Sequence, residues 1–483
     1  MKQKKRFAIY VLHKITRLFS LLRLRPFDTS SEAGRSKERY RRAALTTVAS
    51  VIAKAIALLA GLISVPLTFR YLGAERYGIW MVLVSIIAAM GFADLGIGNG
   101  LMNAVSEAYG KDDHSLAREY VTSAFALMLC IAAVLTIAGV VGYPFLPWLR
   151  LFNVQSQAVA AEGARAFLVL YSCFVVSIPL GVITRAQAGL QKGYASQIVG
   201  AAGSALSLGA MLVVIWLHGS LTWLVFASVY AGIAATLFNG WLLFQQHPWL
   251  KPVWHAYRRS AAVKILKLGL MFFVLQCGFA VSYSSDNIVI DQVLGAAAVA
   301  AYAVPQKLFS FVSMLVSMGV APLWPAYGEA LARGDVDWVR KAFLSSLWLT
   351  LAITVPLCSL LALAGPWILR VVVGKSLHAP MSLLLTLALW GVVNAVSGVT
   401  AMLLNGAGIM KAQIMLVVFS SLSNLALSIF FTRRLGVMGV CLGSILSQLV
   451  ITLPICFVLI RNLFKRLAST TKASSLQDPT SVA

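Results

Sequence analysis

The feature that most constrains this chain is its repetition of unbroken apolar runs. Twelve such stretches fall at about 44–66, 78–102, 121–146, 164–184, 194–217, 221–243, 265–290, 297–322, 342–364, 380–403, 412–431 and 437–460. Each has roughly the 20 residues a helix needs to cross the hydrocarbon layer of a bilayer. Charged residues make up 12% of the chain and hydrophobic residues 59%, with mean hydropathy +0.84. A soluble domain carries about twice that share of charge. The composition therefore excludes a soluble globular protein and a disordered one. A membrane β-barrel alternates apolar and polar residues over short strands of roughly ten residues, and these runs do not alternate. The sequence thus predicts an all-α polytopic membrane protein of about twelve transmembrane helices, with no room for a sizeable soluble domain.

Net charge is +24, which in a soluble chain would suggest a nucleic-acid partner. In a polytopic protein the positive residues gather instead in cytoplasmic loops. With the N-terminus inside, 30 Lys and Arg fall on the cytoplasmic side and 8 outside, while Lys54 and Lys307 lie within spans. That bias predicts both termini in the cytoplasm and no nucleic-acid partner. The six cysteines all lie in apolar runs without a C-x-x-C pair, which predicts small buried hydrophobes rather than disulfides or a metal site.

Residues 1–43 form a basic segment with no small-residue cleavage site, so a secretory signal peptide is not expected. Phe7, Val11, Ile15, Leu18 and Leu22 recur at helical spacing among basic residues. They predict either an amphipathic helix on an anionic membrane surface or a plain positive anchor. The bundles follow at 44–243 and 265–460, joined by a basic cytoplasmic linker at 244–264. A polar tail occupies 461–483.

The two bundles repeat. Leu72-Gly73-Ala74 is followed six residues later by Trp80, and Leu294-Gly295-Ala296 six residues later by Tyr302, at an offset of 222. Ala188-Gly189-Leu190-Gln191-Lys192 and Ala407-Gly408-Ile409-Met410-Lys411 match at an offset of 219. Six spans per repeat is an even number, so the halves share one orientation. Transporters built this way bind substrate near mid-membrane, around a central cavity.

Motifs for chemistry are missing. Gly374-Lys375-Ser376 resembles the end of a phosphate loop, but Leu369 stands where the first glycine belongs. No H-E-x-x-H, G-x-S-x-G or N-x-[ST] occurs. None of the six histidines pairs with Cys, Asp or Glu at a metal-ligand spacing. The longest outer loop, about 147–163, offers Glu162 and little else. The sequence gives no catalytic residues and no metal site.

Charges within the spans carry more information. Lys54 and Lys307 each lie about ten residues into a span, roughly 15 Å deep. A cation there costs at least about 3 kcal/mol and normally faces a cavity or a partner. They are candidates to contact an anionic substrate, or members of internal ion pairs such as Lys54 with Asp94. Asp94 and Asp286 are candidate coupling-ion sites; each could equally cap a helix or pair with a lysine. Arg185 ends its span on the inside, where it can snorkel to headgroups. Asp94-Leu95-Gly96-Ile97-Gly98-Asn99-Gly100 permits either close helix packing or unwinding. Pro66, Pro179, Pro305, Pro356 and Pro454 permit kinks.

The segment from Val65-Pro66-Leu67 through Tyr71-Leu72-Gly73 and Tyr77-Gly78-Ile79-Trp80 to Asp94-Leu95-Gly96-Ile97-Gly98 resembles the opening of bacterial polysaccharide flippases. These are the O-antigen and exopolysaccharide exporters of the multidrug/oligosaccharidyl-lipid/polysaccharide superfamily. Asp286, Leu294-Gly295, Tyr302 and Lys307 are similar to that family's seventh and eighth spans. The resemblance implies a V-shaped pair of six-helix bundles. It implies translocation of an undecaprenyl-pyrophosphate-linked oligosaccharide between leaflets of the inner membrane, for O-antigen, capsule or exopolysaccharide. It also implies a cationic lumen, no cofactor, and an H⁺ or Na⁺ gradient rather than ATP. Its partners would be membrane lipids, a polysaccharide polymerase and a chain-length regulator. Lys307 and Asp286 match the family's charged positions; Lys54 rests on depth alone.

Two other readings stand beside it. A multidrug or metabolite antiporter of the same fold would need cavity carboxylates for cationic drugs, where this chain has lysines. An integral membrane sugar polymerase or ligase would need a large outer loop bearing catalytic groups.

Overall fold

The computed structural model describes residues 22–476 apart from 24, 155 and 374–378. The expected amphipathic helix over residues 1–22 and the Gly374-Lys375-Ser376 segment lie outside, or almost wholly outside, the described residues. Among those residues the chain is all helix, with no strand. Eleven helices are long and apolar enough to cross a membrane. The first of these holds two of the twelve expected spans. Helix α1, Glu32–Ala89, is continuous by its hydrogen bonding but is broken at Gly73, whose backbone sits at φ 74, ψ 172. That region of backbone space is essentially open to glycine alone.

The chain divides into two compact units, Met1–Leu270 and Met271–Ala483. The first unit continues after α1 with α2 (Ile97–Gly110), α3 (His114–Gly142), the short α4 (Trp148–Phe152), α5 (Gln157–Gly189), α6 (Gly193–Trp216) and α7 (Leu221–Gln246). Helix α8, Arg259–Leu294, begins in the first unit and ends in the second. The second unit adds α9 (Ala296–Val320), α10 (Leu323–Ala332), α11 (Val336–Val373), α12 (Met381–Gly406), α13 (Met410–Leu435) and α14 (Met438–Leu446). A π-helical segment, Ser447–Thr452, leads into α15, Leu453–Leu476. Pro454 accounts for the π turn. It cannot donate to the preceding turn and its ring crowds the carbonyl four residues back, so the helix widens there.

In the first unit Leu101, Val105, Val121, Val182 and Leu243 pack one core, and Ile79, Leu83, Phe167 and Leu224 a second. In the second unit Ile290, Tyr302, Phe309, Leu384 and Val440 form the core. Large apolar side chains also point outward; Leu62 and Leu363 are each 71% exposed. Such a surface suits lipid tails rather than water. All six cysteines are free. Cys173, Cys358, Cys441 and Cys456 are buried, Cys277 is half-buried, and Cys130 is exposed.

The internal repeat is visible in backbone and packing. Gly295, 222 residues beyond Gly73, has nearly the same conformation, φ 88 and ψ 165. The glycines before the second loop also correspond. A Cβ on Gly189 would meet Met102 and Val105; one on Gly406 would meet Trp324 and Tyr327. Each contacted residue in the second unit lies 222 beyond its counterpart in the first. The loop that follows is displaced from the sequence match. The left-handed residue is Gln191 in one unit and Gly408 in the other, an offset of 217 rather than 219. The shared Ala-Gly pair thus sits at a helix end in one unit and at the left-handed turn in the other.

A further repeated element was missed in the sequence. Glu107-Ala108, Lys111 and Asp113 recur as Glu329-Ala330, Arg333 and Asp335, again at an offset of 222. Glu107 pairs with Lys111 at 2.7 Å, and Glu329 pairs with Arg333. The Asp113 amide bonds Ala108 O, and the Asp335 amide bonds Ala330 O. Spacing alone could have found it, because an acid and a base four apart stabilise one helix turn.

Polar contacts lock one end of the first unit. Buried Glu38 receives Arg41 twice at 2.7 Å, Arg42 at 2.8 Å and the Phe27 amide at 3.0 Å. Arg42 also reaches Tyr109 Oη and Leu190 O, each at 3.2 Å. Lys192 Nζ and His247 Nε2 lie 2.7 Å apart. Burial, then the charges of Lys192 and Arg42, push His247 down to about 4. His247 is therefore neutral and accepts from the lysine. Glu162, the one acid of the expected outer loop, has a structural partner: it accepts the Leu221 amide at 2.9 Å and pairs with Arg76 at 3.0 Å.

Candidate functional site

The second unit encloses a cavity of about 200 Å³, lined in part by Ser282, Asp286, Trp390, Asn394, Gln413 and Gln448. Its walls come from α8, α12, α13, α14, the π turn and α15. The turn at Gly295 folds α9 back along α8, which brings Tyr302 opposite Asp286. The Tyr302 hydroxyl donates to Asp286 Oδ2 at 3.1 Å, and Gln306 Nε2 donates to the Tyr302 oxygen at 3.1 Å. Asp286 is 4% exposed and its Oδ1 has no hydrogen-bond partner among the described residues. A buried carboxylate oxygen left unpaired costs free energy, so the site can take up a proton or a small cation. The corresponding positions 222 residues earlier are Ser64 and Trp80, so the pair is not repeated at those positions of the first unit.

Lys307 follows Gln306 on α9, is exposed, and has no carboxylate within ion-pair reach among the described residues. Lys54 is likewise exposed on α1. The alternative pairing of Lys54 with Asp94 does not occur. Asp94 lies instead in an unwound stretch between α1 and α2, where Leu95 and Gly96 both have positive φ. Its Oδ1 accepts the Gly96 amide at 3.0 Å. Across Gly98 it faces Arg185: Asp94 Oδ2 and Arg185 Nε are each 3.0 Å from the point a Cβ on Gly98 would occupy. Arg185 therefore turns inward, because an opposite charge is nearby where solvent is scarce. The glycine-rich segment serves both expected purposes. Gly96 unwinds the chain, and Gly100 approaches Ile265 O and the Gly269 amide so closely that a Cβ would clash at 2.8 to 2.9 Å.

The cavity's neutral lining was not singled out from sequence. Ser397 donates to Gln448 Oε1 at 2.7 Å, and Ser420 meets Ser447 at 3.0 Å and Thr452 at 2.9 Å. Ser282 and Ser421 are 2.7 Å apart, and Asn424 donates to Ser444 at 2.8 Å. The signal was present: Ser420-Ser421, Asn424 and Ser428 follow helical spacing along one face of a span. Among the described residues no group of three or more His, Cys, Asp or Glu could hold a metal ion.

Repeated helical units, outward apolar surfaces and a polar interior cavity define a multi-pass membrane protein. The polysaccharide biosynthesis protein family matches residues 45–331, more than half of the chain, and the chain belongs to that family. The MatE family also matches residues 272–430. The chain is 22% identical over 395 residues to a protein of Yersinia pseudotuberculosis named as an O-antigen export protein, covering 80% of this chain and 88% of that one. It is 24% identical over 401 residues to a Salmonella typhimurium protein named as an O-antigen transporter, covering 80% and 89%. Among solved structures, a MATE protein in a bent conformation superposes with a TM-score of 0.76 at 18% identity, over 91% of this chain and 97% of that one. That likeness shows the fold, and the family match places the chain among polysaccharide biosynthesis proteins.

Proposed function

We propose that this protein is a flippase carrying an undecaprenyl-pyrophosphate-linked oligosaccharide from the inner to the outer leaflet of a bacterial cytoplasmic membrane by alternating access. Its product would feed O-antigen, capsule or exopolysaccharide synthesis, and no bond of the substrate would change. The observation that carries this reading is membership of the polysaccharide biosynthesis family. Lys54 and Lys307 support it: ammonium groups within apolar helices, with no ion-pair partner among the described residues, suit a diphosphate, whose charge would otherwise be costly in the membrane. Both termini and the basic 244–264 linker would face the cytoplasm, following the 30 to 8 distribution of Lys and Arg. The driving force would be an H⁺ or Na⁺ gradient acting at Asp286, the buried carboxylate with an open oxygen. Asp94, already facing Arg185, is the weaker candidate. A multidrug antiporter of the same fold draws on the MatE match, but the exposed lysines disfavour cationic drugs.

The test uses purified protein in phospholipid vesicles with a fluorescent lipid-linked oligosaccharide and an imposed ion gradient. The expected result is transfer between leaflets about tenfold faster than in empty vesicles, a barrier difference of ~1.4 kcal/mol. Transfer at the rate of empty vesicles would reject the reading. Export of cationic dyes without glycolipid transfer would favour the antiporter.

A further inference from the structure

Hydroxyls and amides inside an apolar bundle are either glue between helices or the walls of a ligand site. In the second unit they join α12 and α13 to the π turn, yet they stand around open space. The cavity holds about 200 Å³. At ~30 Å³ per water this is room for roughly six waters, the size of one sugar ring rather than of an oligosaccharide or a lipid tail.

Its chemistry matches a hydroxyl-rich guest. Every hydroxyl that donates to a neighbour keeps lone pairs to accept another bond. Asp286 Oδ1 has no partner among the described residues. Among the described residues the Asn394 side chain and the Gln448 amide nitrogen also make no hydrogen bond, although both line the cavity. Donors and acceptors are therefore both open. Trp390 adds an aromatic ring with a broad apolar face. One carboxylate and no cation line the space, which disfavours a phosphate there.

We propose that this cavity is a subsite for one pyranose ring of the transported headgroup. Its hydroxyls would bond Asn394, Gln448 and Asp286, and its C–H face would rest on Trp390. The proposal rests on the flippase reading and adds the place where sugar, rather than pyrophosphate, is recognised.

Gly398 makes the test clean. It lines the cavity, and a Cβ there would meet nothing within 4 Å, so the side chain of Gly398→Leu starts in open space. Asn394→Leu and Gln448→Leu remove the open amides. Protein in nanodiscs is titrated with two probes: the undecaprenyl-pyrophosphate-linked oligosaccharide, and sugar-free undecaprenyl pyrophosphate. Each variant should lose about tenfold or more in affinity for the glycolipid, the effect of one or two lost hydrogen bonds. Affinity for the sugar-free lipid should stay within about twofold, which also shows that the variant is folded. Unchanged binding of both lipids, or equal loss of both, would overturn the subsite and leave the polar groups as helix glue. Failure of the unmodified protein to bind either lipid would instead reject the flippase reading, and the subsite with it.

Discussion

Tyr302 and Asp286, on neighbouring helices either side of Gly295, are joined through one carboxylate oxygen only: the phenol donates to Oδ2 at 3.1 Å, and Oδ1 has no partner among the described residues. The carboxylate is thus oriented yet still able to bind. Asp286→Asn should abolish the response of transport to an imposed ion gradient while leaving slow downhill transfer. Tyr302→Phe should weaken the response only several-fold, since it removes a single hydrogen bond. Gradient-stimulated transfer in vesicles measures both. A fully gradient-responsive Asp286→Asn variant would exclude this site from coupling.

The two exposed lysines give a second expectation. Lys54→Ala and Lys307→Ala should each reduce glycolipid transfer by roughly ten- to hundredfold, the range for losing a charge-assisted hydrogen bond. Arginine at either site should keep more activity, because the charge is retained. Lys111, paired with Glu107 on the first unit's surface, serves as the control, and Lys111→Ala should change transfer little. Complementation of a strain lacking its surface polysaccharide provides the readout, with membrane insertion checked by immunoblot.

Asp94 and Arg185 face each other across Gly98, so their substitutions should not be additive. Asp94→Asn and Arg185→Gln should each destabilise the protein, and the double variant should lose less than the sum. A coupling of about 0.5–3 kcal/mol is typical for residues in one network. Thermal unfolding in detergent measures it. Strict additivity would show that the two charges act independently.

Gly73 and Gly295 occupy a backbone region that other residues enter only at a cost of about 1–3 kcal/mol. Gly73→Ala and Gly295→Ala should therefore each lower the apparent melting temperature. Asparagine should not rescue, because its tolerance is for the ordinary left-handed helical region. Gly61, also in α1 but with nothing near its Cβ position, should accept alanine without loss.

The Lys192–His247 contact gives the pH prediction. His247 titrates near 4 in the folded chain and near 6.5 when unfolded. Between those values the unfolded state holds a proton that the folded state lacks. Stability contributed above about pH 6.5 is therefore lost as pH falls toward 4. Glu107 is raised by burial but brought below its ordinary range by Lys111 and Lys264, so it adds loss only at lower pH. His247→Gln keeps an acceptor for Lys192 and should flatten the slope between pH 4.5 and 6.5. Melting curves across that range decide it; an unchanged slope would place its origin elsewhere.

The sequence by itself determined the class of fold. Twelve apolar runs can only be helices in lipid, since no other open element satisfies its own backbone there. It also determined the six-span repeat, because Gly73 and Gly295 require one residue type at one offset. The second loop match slipped by two residues, since either Gln191 or Gly408 can hold a left-handed turn and nothing local fixes which residue does. The fates of the charged residues were decided by tertiary structure. Depth along a helix is legible from residue count; direction around it depends on neighbours distant in sequence. Arg185 thus turned toward Asp94 rather than outward, and Lys54 was left without the partner that depth alone allowed. The cavity around Asp286 was decided the same way. Its serines and amides are spread over five helical segments, and only the packing of the second unit brings them to one space.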